Sequence, residues 1–122
     1  MPAILIVDDD TMVRTMLVNV FQRDNYSTFE AADGQSALRI YKDEAIDIVI
    51  TDIVMPEMEG IETIRELRRI NPDAKIIAFS GGGSLSPDGY LKIAASMGAN
   101  YTFAKPFEIN ELKEAVKKLL VP

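Results

Sequence analysis

The chain alternates between short aliphatic runs and longer stretches in which apolar residues recur at helical spacing. The first run, from Ala3 to Val7, is continuously aliphatic, as in a parallel strand that is covered on both faces. It is followed by apolar residues that repeat with a helical period between Met12 and Phe21. Further runs predict strands over residues 26–30, 46–51, 75–79 and 100–104. Helical patterns follow them over residues 37–41, 61–68, 91–97 and 109–120.

This alternation predicts an α/β fold. Five β–α units in series imply a parallel sheet with helices on both faces and right-handed crossovers between the strands. Asp10 or Thr11 is expected to cap the first helix, because both residue types accept hydrogen bonds from free helical N–H groups. The 122 residues contain no linker and no repeat beyond the β–α alternation. Residues 1–122 are therefore expected to form one domain.

Polar residues stand at the ends of four predicted strands. Asp8 and Asp9 follow the first strand, and Asp52, Ser80 and Lys105 follow the third, fourth and fifth. Ligands of such a sheet bind beyond the carboxyl ends of its strands, so these residues are expected to converge on one edge of the molecule. Each residue alone has an ordinary explanation, as part of a solvated loop, a turn or a charged surface. Their joint placement favours a functional site.

The chemistry of this set points to phosphoryl transfer. Three carboxylates in one place repel one another unless a cation joins them, and their oxygens suit a hard cation such as Mg²⁺. Lys105 offers a positive charge to phosphoryl oxygens, and Ser80 offers a hydroxyl donor. A carboxylate is itself a nucleophile toward phosphorus and forms an aspartyl phosphate. The set therefore contains a nucleophile, metal ligands, a cation and a hydrogen-bond donor.

Composition removes several other classes of site. The chain has no cysteine and no histidine, which excludes disulfides, thiolate nucleophiles, serine–histidine triads and histidine metal sites. Any phosphohistidine must therefore lie on a partner. The net charge of −6 disfavours direct nucleic-acid binding. No apolar run is long enough to span a bilayer and the N-terminus lacks signal-peptide features, so a cytoplasmic location without membrane contact is expected.

Four segments carry a family resemblance: ILIVDDD, DIVITDIVMPEMEG, IIAFSG and KPF, in an order and spacing that cover essentially the whole chain. Together they resemble the CheY-like receiver domain of bacterial response regulators, which belong to two-component systems. The resemblance implies a flavodoxin-like fold, in which a doubly wound five-stranded parallel sheet of order 2-1-3-4-5 is flanked by five helices. It also implies that Asp52 accepts a phosphoryl group from a sensor histidine kinase or a histidine phosphotransfer protein. The phosphorylated domain then controls a downstream protein target or an output domain.

The resemblance also implies a role for individual residues of the acidic site. Asp52 is then both the phosphoacceptor and a magnesium ligand. Asp9 binds the ion directly, Asp8 binds it mainly through water, and the backbone carbonyl of Val54 supplies the remaining protein ligand. Ser80 corresponds to the hydroxyl residue that moves toward the phosphoryl group.

The resemblance extends to the residues of the switch. Lys105 corresponds to the lysine that pairs with the phosphoryl group, and its peptide bond to Pro106 corresponds to one that is commonly cis in the family. Relatives often carry Tyr or Phe where this chain has Thr102, and the adjacent Tyr101 is expected on the opposite face of its strand. Gly81 begins a glycine-rich loop that is expected to be mobile and to become ordered on phosphorylation.

Three other functions compete with this interpretation. A degenerate receiver that acts only as an interaction module usually lacks the acceptor, an acidic residue or the lysine, and none is missing here. A phosphatase of the haloacid-dehalogenase type, which also has an aspartate nucleophile, usually has a second acid where this chain has Val54. A dinucleotide- or flavin-binding domain would need a glycine-rich loop after the first strand, which is absent. We expect self-phosphorylation and slow autodephosphorylation rather than enzymatic turnover, in a complete single-domain regulator or in part of a longer protein.

Overall fold

The computed structural model describes residues 1–53, 60–80, 92, 95–96, 98–104 and 107–121. Its strands are β1 (Ala3–Val7), β2 (Ser27–Ala31), β3 (Ile48–Asp52), β4 (Ile76–Ser80) and β5 (Tyr101–Ala104). Its helices, within this part of the chain, are α1 (Thr11–Arg23), α2 (Gly34–Asp43), α3 (Gly60–Ile70) and α4 (Ile109–Leu120). Neighbouring strands are parallel, in the order β2-β1-β3-β4-β5. The predicted fold class and strand order are therefore confirmed.

The helix that the sequence predicts over residues 91–97 lies largely outside the described residues. Its described members Lys92, Ala95 and Ser96 are helical. The glycine-rich loop that begins at Gly81 also lies outside the described residues. No helix in the described part of the chain is both long enough and apolar enough to cross a membrane.

β2, β3 and β4 each end one residue later than the sequence predicts, and in β3 and β4 the added residue belongs to the predicted site. β3 ends at Asp52 and β4 ends at Ser80, and both residues are still paired with a neighbouring strand. Asp52 lies opposite Phe79, and Ser80 lies opposite Ala104. Their polar side chains are typical of loops, but strand pairing uses backbone groups, which every residue other than proline carries. The sheet itself therefore fixes the backbone of both predicted site residues.

Two hydrophobic layers cover the sheet, because successive residues of each strand face opposite sides. One layer joins the sheet to α2 and α3, and its fully buried members are Leu5, Val7, Ala37, Val49, Ile53, Ile64, Leu67, Ile76 and Ala78. The other joins it to α1 and α4, and includes Ile4, Ile6, Leu17, Phe21, Ile48, Ile50, Ile77, Phe79 and Val116. Each large apolar side chain contributes about 1.5–3 kcal/mol on burial. With both faces covered, polar chemistry is left to the ends of the strands.

The start of α1 brings the chain back from the acidic edge. Asp10 caps the helix, and its side chain accepts hydrogen bonds from the backbone N–H groups of Met12 at 2.9 Å and Val13 at 3.5 Å. Of the two residues that the sequence offered as caps, Asp10 is therefore the one used, and Thr11 is the first residue of the helix. The cap fixes the turn that directly follows Asp8 and Asp9.

Candidate functional site

Three carboxylates meet at the carboxyl edge of the sheet. Asp8, Asp9 and Asp52 each place one carboxylate oxygen within 4.8 Å of the others. The strand register explains this meeting, because Val7 lies opposite Thr51 and the next residue of each chain segment is an aspartate. The predicted convergence of these three side chains is thus what the structure shows.

The burial of this cluster fits a divalent cation. Asp8 is fully buried and Asp52 is only 6% exposed, whereas Asp9 faces solvent. Buried like charges raise one another's energy, and burial further penalises the ionised forms, so a counter-charge is needed. An all-oxygen set of two or three carboxylates that is open to water on one side suits Mg²⁺, which keeps several of its waters. The residues present therefore fit the ion that the sequence predicts.

Asp8 is held in place by hydrogen bonds to its N–H, its carboxylate and its carbonyl oxygen. Its N–H donates to the carbonyl oxygen of Ala31 at 3.1 Å, and its Oδ1 accepts from the N–H of Asp10 at 2.9 Å. Its carbonyl oxygen accepts from Nη1 of Arg14 at 2.7 Å. The same guanidinium donates through Nε to Oε1 of Glu30 at 3.1 Å. Asp8 is thus connected to both β2 and α1.

Ser80 carries a buried hydroxyl that is unsatisfied within the described part of the chain. The residue is fully buried at the end of β4, and its Oγ has no hydrogen-bond partner there. A buried hydroxyl without a partner costs about 1–3 kcal/mol, and such groups are few in native proteins. Because Phe79 lies opposite Asp52, Ser80 is one residue further toward the acidic edge. Its hydroxyl is therefore placed to donate a hydrogen bond to a group bound at that edge.

Gly60 lies against the backbone of Asp52. A Cβ at this position would be 2.2 Å from the carbonyl oxygen of Asp52 and 2.4 Å from Cα of Ile53. The N–H of Gly60 also donates to the carbonyl oxygen of Ile53 at 2.6 Å. The missing side chain of Gly60 therefore permits the close approach of α3 to the end of β3.

The two candidate switch residues of β5 face opposite sides of the sheet, as expected. Tyr101 packs with the layer under α1 and α4, and Thr102 lies opposite Ala78 on β4. Ser80 is two residues beyond Ala78 on the same strand, so Thr102 and Ser80 are on one face of the sheet. Tyr101 is on the other face.

Four further candidates lie outside the described residues: Val54, Gly81, Lys105 and Pro106. Their predicted roles therefore remain predictions. The neighbours of Lys105 and Pro106 are described on either side, since β5 ends at Ala104 and Phe107 packs on Phe79 with a ring-centroid distance of 5.4 Å. Phe107 thus packs against the sheet.

Arg14 and Glu30 were not among the site residues predicted from the sequence. The available signal for Arg14 was its position four residues after the cap Asp10, in the first turn of a helix that begins beside the acidic residues. No signal identified Glu30, because its role depends on the register between β1 and β2, in which it lies opposite Ile6.

Comparison with known proteins places this arrangement in a family. The sequence profile of the response regulator receiver domain matches residues 4–117. The chain is 39% identical over 117 residues to sporulation initiation phosphotransferase F of Bacillus subtilis, covering 96% of this chain and 92% of that protein. It is 38% identical over 117 residues to chemotaxis protein CheY of Thermotoga maritima, covering 95% of each chain.

A solved structure shares the fold over the whole chain. The response regulator protein TrrA of Thermotoga maritima, solved in complex with Mg(2+)-BeF, superposes with a TM-score of 0.86 at 38% sequence identity. The match covers 98% of this chain and 100% of that one.

Proposed function

Because this chain belongs to the family of response regulator receiver domains of two-component systems, we propose that it is a phosphoryl-accepting switch in which Asp52 receives the phosphoryl group. The observation that carries the proposal is the cluster of Asp8, Asp9 and Asp52, whose carboxylate oxygens lie within 4.8 Å of one another. Asp52 is the member of the cluster that β3 presents at the carboxyl end of the sheet.

The phosphoryl donor is a phosphohistidine on a partner, either a sensor histidine kinase or a histidine phosphotransfer protein. The chain itself contains no histidine. In the transfer, a carboxylate oxygen of Asp52 forms a bond to phosphorus as the bond from phosphorus to the partner's imidazole nitrogen breaks. The nitrogen takes up a proton from solvent, and Asp52 carries an acyl phosphate. The fixed backbone of β3 holds the nucleophile ready for this in-line approach.

The acidic residues hold Mg²⁺ for this reaction. Asp9 and Asp52 are direct ligands, Asp8 acts mainly through water, and the carbonyl of Val54 completes the protein's share. When bound, the ion supplies positive charge to the phosphoryl oxygens. The TrrA structure, solved with Mg(2+)-BeF at 38% identity to this chain, supports a site of this kind. The buried pair Asp8 and Asp52 provides the negative charge that attracts the ion.

Ser80 and Lys105 stabilise the product. The Ser80 hydroxyl donates a hydrogen bond to a phosphoryl oxygen, which supplies the partner that its buried Oγ lacks in the described part of the chain. Lys105 places its ammonium group on another phosphoryl oxygen. Thr102, on the same face as Ser80, carries the change toward the output surface, and a downstream protein or output domain reads it.

The proposal is tested by chemical phosphorylation. The protein is incubated with acetyl phosphate and Mg²⁺, and its intact mass is measured for wild type, Asp52→Asn and the control Asp43→Asn, which alters an exposed aspartate at the end of α2. We expect wild type and the control to gain one labile phosphoryl group and Asp52→Asn to gain none. Chelation of Mg²⁺ should abolish the gain.

The alternative functions predict different results. A folded wild-type protein that binds Mg²⁺ but gains no phosphoryl group would indicate an interaction module. Rapid multiple turnover, with release of inorganic phosphate at a rate that exceeds slow autodephosphorylation, would indicate a phosphatase. A gain of one phosphoryl group by Asp52→Asn would show that another residue is the acceptor.

A further inference from the structure

The guanidinium of Arg14 lies between the acidic cluster and the edge strand β2. Its side chain is only 16% exposed, although it projects from the first turns of α1. Nη1 donates to the carbonyl oxygen of Asp8 at 2.7 Å, and Nε donates to Oε1 of Glu30 at 3.1 Å. The two contacts use different sides of one planar, rigid group. Arg14 therefore connects two chain segments that only the folded sheet brings together.

The group on Asp8 that accepts the hydrogen bond from Arg14 is its backbone carbonyl oxygen. It belongs to the peptide group that joins Asp8 to Asp9, and a peptide group is planar and rigid. The preceding peptide group is also fixed, because the N–H of Asp8 donates to the carbonyl oxygen of Ala31 at 3.1 Å. Fixing both planes sets the direction in which the Asp8 side chain leaves the backbone, and it places the backbone nitrogen from which Asp9 begins. Arg14 therefore holds the peptide group that joins two proposed metal ligands.

Glu30 controls the orientation of Arg14. It lies opposite Ile6 on β2, and its side chain is 49% exposed. An ion pair with one half-exposed partner contributes little to stability, so its consequence is geometric. It holds Nε so that Nη1 is aimed at the Asp8 carbonyl. A lysine at position 14 would keep the charge but has a single ammonium group, which cannot make both contacts in this geometry.

We propose that Arg14 is a positioning residue of the magnesium site and that Glu30 orients it. The inference rests on the proposed function, since it concerns the same site. The direction in which Mg²⁺ affinity changes when Arg14 is removed distinguishes a positioning role from a purely electrostatic one. The positive charge of Arg14 alone repels Mg²⁺, so if charge were its only effect, removing it would tighten binding. If Arg14 positions the ligands, removing it weakens binding.

The test is Mg²⁺ affinity, measured by isothermal titration calorimetry on the full chain. The variants are Arg14→Lys, Arg14→Gln, Glu30→Gln and the double variant Arg14→Lys with Glu30→Gln. The control is Arg39→Lys, which makes the same exchange at an exposed position on α2. Groups that orient metal ligands typically change metal affinity by about 10–100-fold. We expect Arg14→Lys and Arg14→Gln to weaken binding about tenfold, Glu30→Gln to weaken it less, and the double variant to resemble Arg14→Lys.

A second measurement separates positioning from general loss of stability. The thermal unfolding temperature of each variant is measured with and without saturating Mg²⁺, and the shift caused by the ion is compared between variants, so that a lower starting stability cancels. A smaller shift for Arg14→Lys than for Arg39→Lys supports the proposal. An unchanged affinity for Arg14→Lys, or tighter binding by Arg14→Gln, overturns it. If the wild-type protein does not bind Mg²⁺ measurably, both this inference and the proposed function are overturned. If the wild type binds Mg²⁺ and the variants bind it with the same affinity, this inference alone is overturned.

Discussion

Gly60 and Asp52 are in backbone contact, at a distance that admits no side chain. A Cβ on Gly60 would lie 2.2 Å from the carbonyl oxygen of Asp52, well inside the separation that two such atoms tolerate. The first residue of α3 therefore packs directly on the residue that we propose as the phosphoacceptor. Any side chain at position 60 must displace either the helix or the end of β3.

Gly60→Ala should consequently impair phosphorylation more than its effect on stability alone would. We expect a loss of about 1–3 kcal/mol in the free energy of unfolding, which is typical of overpacking, together with slower labelling by acetyl phosphate. Urea unfolding and the rate of mass gain measure the two effects. The control is Gly98→Ala, where φ is +107° and a Cβ would meet Arg68. That variant should also be destabilised but should label at the wild-type rate while folded, because Gly98 lies away from the acidic edge.

Ser80→Ala should slow phosphorylation without lowering the stability of the protein. Within the described residues the buried Ser80 hydroxyl has no partner, so its removal is expected to leave the free energy of unfolding unchanged or to raise it by up to about 1 kcal/mol. The acyl phosphate should form more slowly, because one hydrogen-bond donor is lost. Chemical denaturation and acetyl phosphate labelling provide the two readings. A variant that is clearly less stable than wild type would show that the hydroxyl already has a structural role in the unphosphorylated protein.

Asp9→Asn should stabilise the metal-free protein and weaken its response to Mg²⁺. Carboxylates within 4.8 Å repel one another, and Coulomb's law gives on the order of 1 kcal/mol for such a pair in a water-like environment. Relief of this repulsion should raise the unfolding temperature in the presence of a chelator. With saturating Mg²⁺ the order of wild type and variant should reverse. If Mg²⁺ raises the unfolding temperature of both proteins equally, Asp9 is not a magnesium ligand.

Asp33 should make the stability of the protein depend on pH at the acidic end. Its side chain accepts a hydrogen bond from the N–H of Ser36 at 2.7 Å, and this bond, as the largest cause, lowers the pKa of the Asp33 carboxyl. Because the folded-state pKa lies below the ordinary value of 3.8, the stabilisation is complete above that value. It is lost as the pH falls through the folded-state pKa.

Asp33→Asn tests this dependence, because asparagine is also a good helix cap but does not titrate. The difference in the free energy of unfolding between wild type and Asp33→Asn should favour wild type at neutral pH. It should decrease on acidification below pH 3.8. A difference that stays constant over this range would mean that the charge of Asp33 contributes nothing to the cap.

The sequence predicted the part of the site that depends on strand order alone. Asp8 and Asp52 converge because parallel neighbours end at one edge, and a run such as Ala3 to Val7 identifies such a strand without knowledge of its neighbours. The ends of β3 and β4 were predicted one residue short, since the polarity of Asp52 and Ser80 masks the backbone pairing that includes them.

The contacts of Arg14 and the closeness of Gly60 to Asp52 were not predictable from the sequence. The first depends on the register of β2, whose polar residues give little periodic signal, and on a pair of residues separated by sixteen positions. The second depends on how the start of α3 packs against the end of β3. Both are contacts between different secondary-structure elements, and no local pattern encodes them.

Because Asp8 and Asp52 are attached to β1 and β3, the acidic site is expected to stay intact during local opening of the protein. These strands have hydrogen-bonded neighbours on both sides and buried side chains on both faces. Amides in such strands commonly exchange with solvent only when the whole domain opens. The acidic residues should therefore stay in register through every local fluctuation, and hydrogen exchange at Val7 and Thr51 should be among the slowest in the molecule. The edge strands β2 and β5 are expected to open more often, while the proposed acceptor keeps its place.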